Sequence, residues 1–206
     1  MQSAPEQKIV ELPAPALDGD TAVEECLANR RSIRTFADDG LSLRQLSQLL
    51  WAAQGVTSPR GFRTAPSAGA LYPLELFVAA GSVDGLAAGL YHYRPEGHEL
   101  KKVSGGDKRK ELWRAGLRQT AIRDAPAVFV FGAVFERITG KYGKRGLQYA
   151  MIEVGHAAQN LCLQAVSLDL GTVPIGAFDD AAVNHILDQV QDIHPLYLLP
   201  VGKPAR

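Results

Sequence analysis

One long apolar stripe constrains the fold of this chain more than any other feature. Within residues 146–170, apolar side chains recur at the three- and four-residue spacing of one helix face. They are Val154, Ala158, Leu161, Cys162, Ala165 and Leu168. The same stretch holds the small residues Gly155 and Ala157, which let a second helix approach closely. We therefore expect a long helix at the centre of a domain or at the seam of a dimer.

Runs of strand-forming residues supply the second constraint. The segment 127–134 is almost wholly apolar, which is typical of a strand buried on both faces. Segments 74–80 and 196–201 predict two more strands. Segments 90–93 and 98–103 predict a hairpin that turns at residues 95–97. Strands of this kind, combined with helices, indicate the α+β class, with one sheet and helices packed on it.

Start and stop signals place the other helices. Thr21 and Glu24 form a capping-box pattern, and the helix that follows, to residue 29, is predicted to bury Val23, Cys26 and Leu27.

A second capping box is formed by Ser42 and Gln45, and Gly55 lies where that helix should end. Segment 107–117 predicts another helix. A last helix is predicted from Asp179 or Asp180 to about residue 190.

The chain has 206 residues, enough for one domain with a sizeable core. Pro13 and Pro15 exclude a helix near the start, so we expect an extended arm at 1–19 and a single domain at 20–206. The loop 56–73 is long and rich in glycine and proline. Loops of that length inside compact domains are usually functional or disordered.

Charge balance argues against several partner classes. The 22 Lys and Arg residues equal the 22 Asp and Glu residues, so no overall field attracts nucleic acid or a membrane surface. No apolar run reaches the roughly 18 residues of a transmembrane helix. We expect a cytoplasmic protein, and a previously removed export leader is compatible with the sequence. Cys26 and Cys162 are predicted to be buried free thiols.

A basic cluster at 30–36 is the first candidate site. Arg30, Arg31 and Arg34 lie with Ser32 and Thr35 just after the first predicted helix. Arginine is always charged and presents a planar fork of donors, which suits a phosphate or another anion. On the residues alone, the alternative is a solvated, salt-bridged helix end.

Several common sites are missing from the sequence. There is no glycine-rich dinucleotide fingerprint, no P-loop and no serine in a nucleophile elbow. His92 and His98 have no cysteine or carboxylate set around them, so we expect surface histidines and no metal site. His156, in the long helix, is expected to have a core or supporting role.

Taken in chain order, several short motifs are similar to those of flavin-dependent nitroreductases. They are the 30–34 segment, Pro66-Ser67-Ala68-Gly69-Ala70-Leu71-Tyr72-Pro73, the turn 173–177 and the terminal Gly202-Lys203-x-x-Arg206. Within that family the chain resembles the thiazole/oxazole-forming dehydrogenases, the SagB/ThcOx type. The hairpin at 89–95, Lys141-Tyr142-Gly143 and residues 155–160 carry this closer likeness. The resemblance covers nearly all of 20–206.

The resemblance implies a nitroreductase-like fold, with a mostly antiparallel central sheet flanked by helices. It implies an intertwined homodimer with FMN at the interface. Arg30 and Ser32 would reach the phosphate and ribityl chain, with Arg31 nearby, and Arg34 would face the pyrimidine end. Contacts to the ring from the other subunit would be Pro66, Ser67, Ala68, Gly69 and Leu71. Contacts beneath the ring would be Pro174, Ile175, Gly176 and Ala177, and Lys203 and Arg206 would complete the phosphate site.

The implied activity is ping-pong hydride transfer. NAD(P)H would reduce FMN and leave, and a nitroaromatic, quinone or similar small molecule would then take its place. A runner-up is a dehydrogenase of an azoline-type heterocycle, because those enzymes use a Lys-Tyr pair as their acid/base unit, here Lys141 and Tyr142. The chain lacks the additional segments with which those enzymes bind a peptide. A third alternative is a non-catalytic flavin-binding or interaction protein.

The Lys141-Tyr142 pair has an equally weighted structural interpretation. It lies in a glycine- and lysine-rich stretch, 139–146, that we expect to be flexible. In that case Lys141 is a solvated loop residue and Tyr142 a packing residue.

Overall fold

A seven-stranded sheet runs through the described residues, 9–187 and 192–205 of this computed structural model, and every neighbouring pair in it is antiparallel. In spatial order its strands are β1 (Ile9–Glu11), β6 (Glu99–Gly105), β5 (Gly89–Arg94), β3 (Leu74–Ala80), β7 (Ala127–Ala133), β9 (His194–Gly202) and β8 (Gly171–Thr172). Two short strands, β2 (Leu41–Ser42) and β4 (Val83–Asp84), pair in parallel beside it. The predicted α+β class is confirmed.

Strand β7 lies inside the sheet and is buried along its whole length. It pairs with β3 on one side and with β9 on the other. Phe129 and Phe131 belong to one apolar core, and Val128 and Val130 belong to the other. Because helices cover both faces of the sheet, β7 has no polar side, as its sequence predicts.

Seven helices occur within the described ranges. They are α1 (Val23–Asn29), α2 (Leu43–Gln54), α3 (Arg109–Ala115), α4 (Thr120–Asp124), α5 (Glu136–Tyr142), α6 (Arg145–Ser167) and α7 (Asp180–Ile186). Helices α2, α5 and α6 share a core with Phe129, whereas α3, α4 and α7 share the other core. None of the helices in the described part of the chain is long and apolar enough to cross a membrane.

Helix α2 begins as its sequence predicts. Ser42 Oγ accepts a hydrogen bond from the Gln45 N–H at 3.2 Å, and Gln45 Oε1 accepts one from the Ser42 N–H at 3.0 Å. Gly55 follows its last turn in an extended conformation. A Cβ at that position would lie 2.1 Å from the Trp51 ring, so the close approach of the ring requires a glycine.

Helix α1 differs from its prediction in two ways. It begins after Ala22, and no side chain caps it, so the predicted Thr21 box is wrong. Thr21 lies one residue before the N-cap position. Of the predicted buried side only Cys26 is buried, whereas Val23 and Leu27 are 63% and 55% exposed. Among the described residues of one chain, nothing covers Val23 and Leu27 fully.

The described part of the predicted arm joins the sheet. Strand β1 pairs with β6, and Val10 lies opposite Leu100. The predicted boundary between arm and domain at residue 20 stays a prediction. The predicted last helix is α7, where Asp179 Oδ1 accepts a hydrogen bond from the Ala182 N–H at 2.9 Å. Its predicted end near residue 190 lies outside the described residues.

The two capping predictions give a matched pair of variants. We expect Ser42→Ala to lower the free energy of unfolding by about 1 kcal/mol, because the Gln45 N–H loses its acceptor. Thr21→Ala should change it by less than about 0.5 kcal/mol, because Thr21 makes no capping bond. Urea unfolding measures both. An equal loss in the two variants would contradict the assignment of the caps.

Candidate functional site

The basic segment after α1 lies along the edge of the sheet. Ser32 forms a bridge with Thr172, and the Ile33 N–H donates to the Thr172 carbonyl at 3.0 Å. The Ile33 side chain packs against Gly171, where a Cβ would lie 2.7 Å from Ile33 Cβ. Since side chains alternate in extended backbone, Ser32 and Arg34 point away from this contact. Both are exposed.

The three arginines differ in their surroundings. Arg31 Nη1 donates to the carbonyls of Ala28 and Arg30 at 2.9 and 2.8 Å, so Arg31 satisfies one carbonyl in the last turn of α1 and that of the residue after the helix. Arg30 and Arg34 form no side-chain hydrogen bond or ion pair with any of the described residues. Burial raises the pKa of the Cys162 thiol to about 11, and the charge of Arg30 partly opposes that rise. Arg30 and Arg34 are therefore cations without a described partner.

The end of the chain lies beside this segment. The Ala37 N–H donates to the Lys203 carbonyl at 2.9 Å, and the Ala205 N–H donates to the Thr35 carbonyl at 3.1 Å. Lys203 Nζ lies 3.2 Å from Asp39 Oδ2, and both side chains are more than half exposed. Such a surface pair is weak, so Lys203 can exchange it for another anion. Arg206 lies outside the described residues.

The turn after β8 borders the same edge. Ile175 and Leu198 exchange two backbone hydrogen bonds of 2.8 and 3.0 Å, which hold the turn against β9. Gly176 and Ala177 are exposed, and their N–H groups donate to no group among the described residues. Pro174 is half-buried. The turn thus offers two exposed N–H donors that lack a partner among the described residues, and it follows Thr172, the residue that bridges the basic segment.

The other predicted contacts lie elsewhere. The loop 66–73 leads into β3, and its residues 68–70 form one 3-10 turn. A Cβ on Gly69 would lie 2.8 Å from Tyr142 Oη and 3.0 Å from Lys141 Nζ. The loop and the Lys-Tyr pair are therefore in direct contact within one chain.

Lys141 and Tyr142 lie at the end of helix α5, so the predicted flexible stretch is wrong at these positions. The Tyr142 ring meets the Tyr149 ring edge-on, with centroids 5.1 Å apart. Lys141 Nζ lies 5.5 Å from the centroid of the Tyr142 ring. The backbones of α5 and α6 meet closely at Gly146, where a Cβ would lie 3.0 Å from Ile138 backbone atoms. This contact orders the glycine-rich stretch.

The two groups of candidate residues are far apart in one chain. The basic segment lies beyond the β9 end, where Val201 pairs with Ala127. The loop 66–73 lies at the other end of β7, where Leu74 pairs with Ala133. The seven residues of β7 span about 20 Å. A single copy of the chain therefore does not bring the two groups together.

The outward face of α6 is apolar in its first half. Leu147, Met151 and Ile152 are 40%, 50% and 54% exposed, and a Cβ on Gly155 would meet nothing within 4 Å. His156, for which a core or supporting role was predicted, is exposed on the same face, so the core position is wrong. Contiguous apolar faces of this kind mark interaction sites, which agrees with the predicted seam of a dimer.

The hairpin histidines are bound to protein groups. His92 Nε2 lies 2.5 Å from Glu75 Oε2. His98 Nδ1 lies 2.8 Å from the Tyr93 hydroxyl, and its Nε2 lies 2.8 Å from the Ser47 hydroxyl. Both histidines are partly buried, so the predicted surface positions are wrong. Within 9–187 and 192–205, no group of three metal-ligating side chains occurs.

One candidate was missed in the sequence. Glu153 lies on the inward face of α6 and is 2% exposed, and neither carboxylate oxygen has a hydrogen-bond partner among the described residues. Burial raises the pKa of Glu153 to about 7, and the nearby Ser67 hydroxyl and the Arg63 charge oppose that rise. Helical spacing from Ala150 and Ala157 would have placed this carboxylate inside.

Comparison with known proteins identifies the family. The profile described as "Nitroreductase family" matches residues 27–203. The chain belongs to the nitroreductase family.

Individual relatives support the same assignment. A protein of Methanocaldococcus jannaschii assigned as a nitroreductase is 44% identical over 94% of this chain and 96% of its own length. The microcin B17-processing protein McbC of Escherichia coli is 31% identical over 69% of this chain and 55% of its own length. A crystal structure of an assigned nitroreductase from Anabaena variabilis superposes with a TM-score of 0.86 at 30% identity, over 98% of this chain and 42% of that one.

The Glu153 carboxyl gives a pH-dependent prediction. Between pH of about 4.5 and 7 the Glu153 carboxyl is ionised in the unfolded chain but stays protonated in the folded protein. The free energy of unfolding therefore falls as the pH rises through this range. Glu153→Gln removes this pH dependence. From pH 5 to pH 8 the variant should therefore lose about 2 kcal/mol less unfolding free energy than the wild type. Urea unfolding at both pH values measures this, and parallel pH profiles would contradict the buried carboxyl.

Proposed function

We propose that this protein is an FMN-dependent oxidoreductase that moves two electrons from NAD(P)H to a nitroaromatic, quinone or similar small acceptor. One observation carries the proposal. Arg30 and Arg34 are cations without a described partner, and Ser32 between them bridges Thr172 on the sheet edge, shortly before the turn whose Gly176 and Ala177 N–H groups lack a partner among the described residues. That donor set fits a ligand with an anionic tail and a planar, hydrogen-bonding ring.

The anionic end of FMN fits the basic segment. Arg30 and the Ser32 hydroxyl would bind the phosphate and the ribityl chain, and Lys203 would join them by releasing Asp39. Arg206 would complete this set. Arg31 would contribute charge nearby, because its Nη1 already bonds the end of α1.

The ring end fits the next residues along the edge. Arg34 would hold a fixed positive charge at the pyrimidine end, and a fixed cation there favours the form of the ring that carries more electrons. Pro174 would pack beneath the ring, with the buried Ile175 supporting the turn from the core, and the N–H groups of Gly176 and Ala177 would point at its edge. FMN, when bound, supplies the atom that accepts and returns a hydride.

The remaining wall of the site would come from a second copy of the chain. The residues Pro66, Ser67, Ala68, Gly69 and Leu71 lie about 20 Å from the basic segment, by the length of β7. A homodimer that buries the apolar face of α6 would place this loop opposite Arg34. The exposed Val23 and Leu27 of α1 are further apolar groups that such an interface would cover.

The role of Arg34 can be tested by flavin binding alone. We expect Arg34→Ala to raise the FMN dissociation constant at least about tenfold, because a charged hydrogen bond is lost. Arg44→Ala is the matched control, since Arg44 is an exposed arginine on α2 with no side-chain bond in the described structure. Fluorescence titration with FMN measures both. Equal affinities in the two variants would remove Arg34 from the site.

The contact of Gly69 with the Lys-Tyr pair favours a second candidate function. Lys141 Nζ and Tyr142 Oη would lie beside the ring-lining loop, where one of them could take a proton from a substrate carbon. Such a site would suit a dehydrogenase of a small azoline-type heterocycle, and the McbC relative supports that class. The chain spans about half of McbC, so peptide substrates are not included in this proposal.

Tyr142→Phe separates the two candidates. If Tyr142 moves a proton, the variant should lose about 100-fold or more in the turnover of azolines and keep its rate with nitroaromatics or quinones. The ring contact with Tyr149 is retained in phenylalanine, so packing is preserved. Steady-state rates with both substrate classes measure this. Unchanged turnover on every substrate would leave Tyr142 with a packing role only.

A further inference from the structure

The buried Glu153 is the least explained polar group in the described structure. It projects from α6 into the core shared by α2, α5 and the sheet, and both its oxygens lack partners among the described residues. Other buried polar side chains, such as Gln48 and Thr172, have theirs. An unpaired carboxyl is costly in such a place, so its retention calls for a role.

Two groups of the loop before β3 act on the Glu153 carboxyl. They are the Ser67 hydroxyl and the Arg63 guanidinium. Ser67 Oγ accepts a hydrogen bond from the Tyr72 N–H at 2.9 Å, which closes the turn 67–72. The hydroxyl proton of Ser67 takes no part in that bond. It is therefore free to point at the Glu153 carboxyl.

The turn that Ser67 closes is strained. Gly69, Ala70 and Tyr72 all have positive φ angles, of 64°, 53° and 46°. Alanine and tyrosine adopt such angles only when surrounding contacts hold them. One contact is Arg63, which lies 4.5 Å from the centroid of the Tyr72 ring. The other is Ser67 Oγ, and an acceptor for its own proton would hold it more firmly.

We propose that Glu153 is a positioning residue for the flavin-lining loop: its carboxyl receives the Ser67 hydroxyl and so holds the strained turn 67–72 in the shape that accepts FMN. The ordering of the turn by Glu153 is argued from the contacts above. The link from that turn to FMN rests on the proposed function. Glu153 does not touch the flavin in this account. It acts through Ser67.

The neutral form of the side chain suffices for this role. Because a large part of the Glu153 carboxyl is protonated near neutral pH, Glu153→Gln should keep the acceptor oxygen and the size of the group. Glu153→Leu removes the acceptor and keeps an apolar side chain of similar size. Val154→Ala is the control for general loosening of α6, since Val154 is buried at the neighbouring position.

The first test is hydrogen exchange in the flavin-free protein, followed on the peptide that contains Tyr72. In Glu153→Leu the Tyr72 amide should exchange about tenfold faster or more, because its bond to Ser67 Oγ opens more often. Glu153→Gln and Val154→Ala should exchange like the wild type. Unchanged exchange in Glu153→Leu would overturn the proposal, and so would equally fast exchange in Val154→Ala.

The second test is FMN titration of the same four proteins. Glu153→Leu should bind FMN about tenfold more weakly, with Glu153→Gln near the wild type. A loosened loop with unchanged FMN affinity would overturn the link to the flavin. A wild-type protein that binds no FMN would refute the proposed function instead, and the exchange experiment would still decide whether Glu153 holds the loop.

Discussion

The burial of β7 on both faces determines where every candidate group lies. Because β7 pairs with β3 and β9 along its length, the loop before β3 and the helix after β7 meet at one end of the sheet. The end of β9, the strand β8 and the basic segment meet at the other end. The apolar run 128–131 thus separates two groups of functional residues by the length of a strand. In the proposed site, each of these two groups is one half, and a single chain carries both halves apart from each other.

Helix α6 runs between the two proposed half-sites, and its inward and outward faces have different roles. Its inward face packs on the sheet and carries Glu153 to the loop at the first half-site. Its outward face presents Leu147, Met151 and Ile152 to solvent in one chain. A pair of such helices across a two-fold axis would cover this apolar face and bring the first half-site of one copy to the second half-site of the other. The proposed composite flavin site depends on that arrangement.

Short sequence patterns correctly predicted those elements that depend on neighbouring residues. The Ser42 box and the apolar run of β7 are such cases, because both depend on neighbouring residues or on composition alone. Lys141 and Tyr142 were misjudged because Gly140, Gly143 and Gly146 resemble a flexible loop. In the structure Gly146 is instead the place where two helix backbones touch. Contacts between distant segments of this kind leave no local pattern.

The positions of the candidate site residues were also predicted in part. The alternation around Ile33 and the exposed positions 176 and 177 are compatible with the residues that the family resemblance implies, and those roles remain proposals. Arg31 differs from Arg30 and Arg34, because its guanidinium already donates to a carbonyl of α1 and is less available to a ligand. Val23 and Leu27 were expected inside a core that one chain does not form. If a second copy of the chain covers these two side chains, the apolar pattern correctly predicted their burial, and only the element that buries them was not foreseen.

Native mass spectrometry of the purified protein tests the composite site most directly. We expect a dimer that carries one FMN per chain, and we expect the FMN to be lost when the dimer is diluted or separated into single chains. The yellow colour of the bound flavin should disappear from the protein fraction in the same step. A single chain that retains FMN at its full ratio would contradict the account, because it would show that one copy holds the whole site.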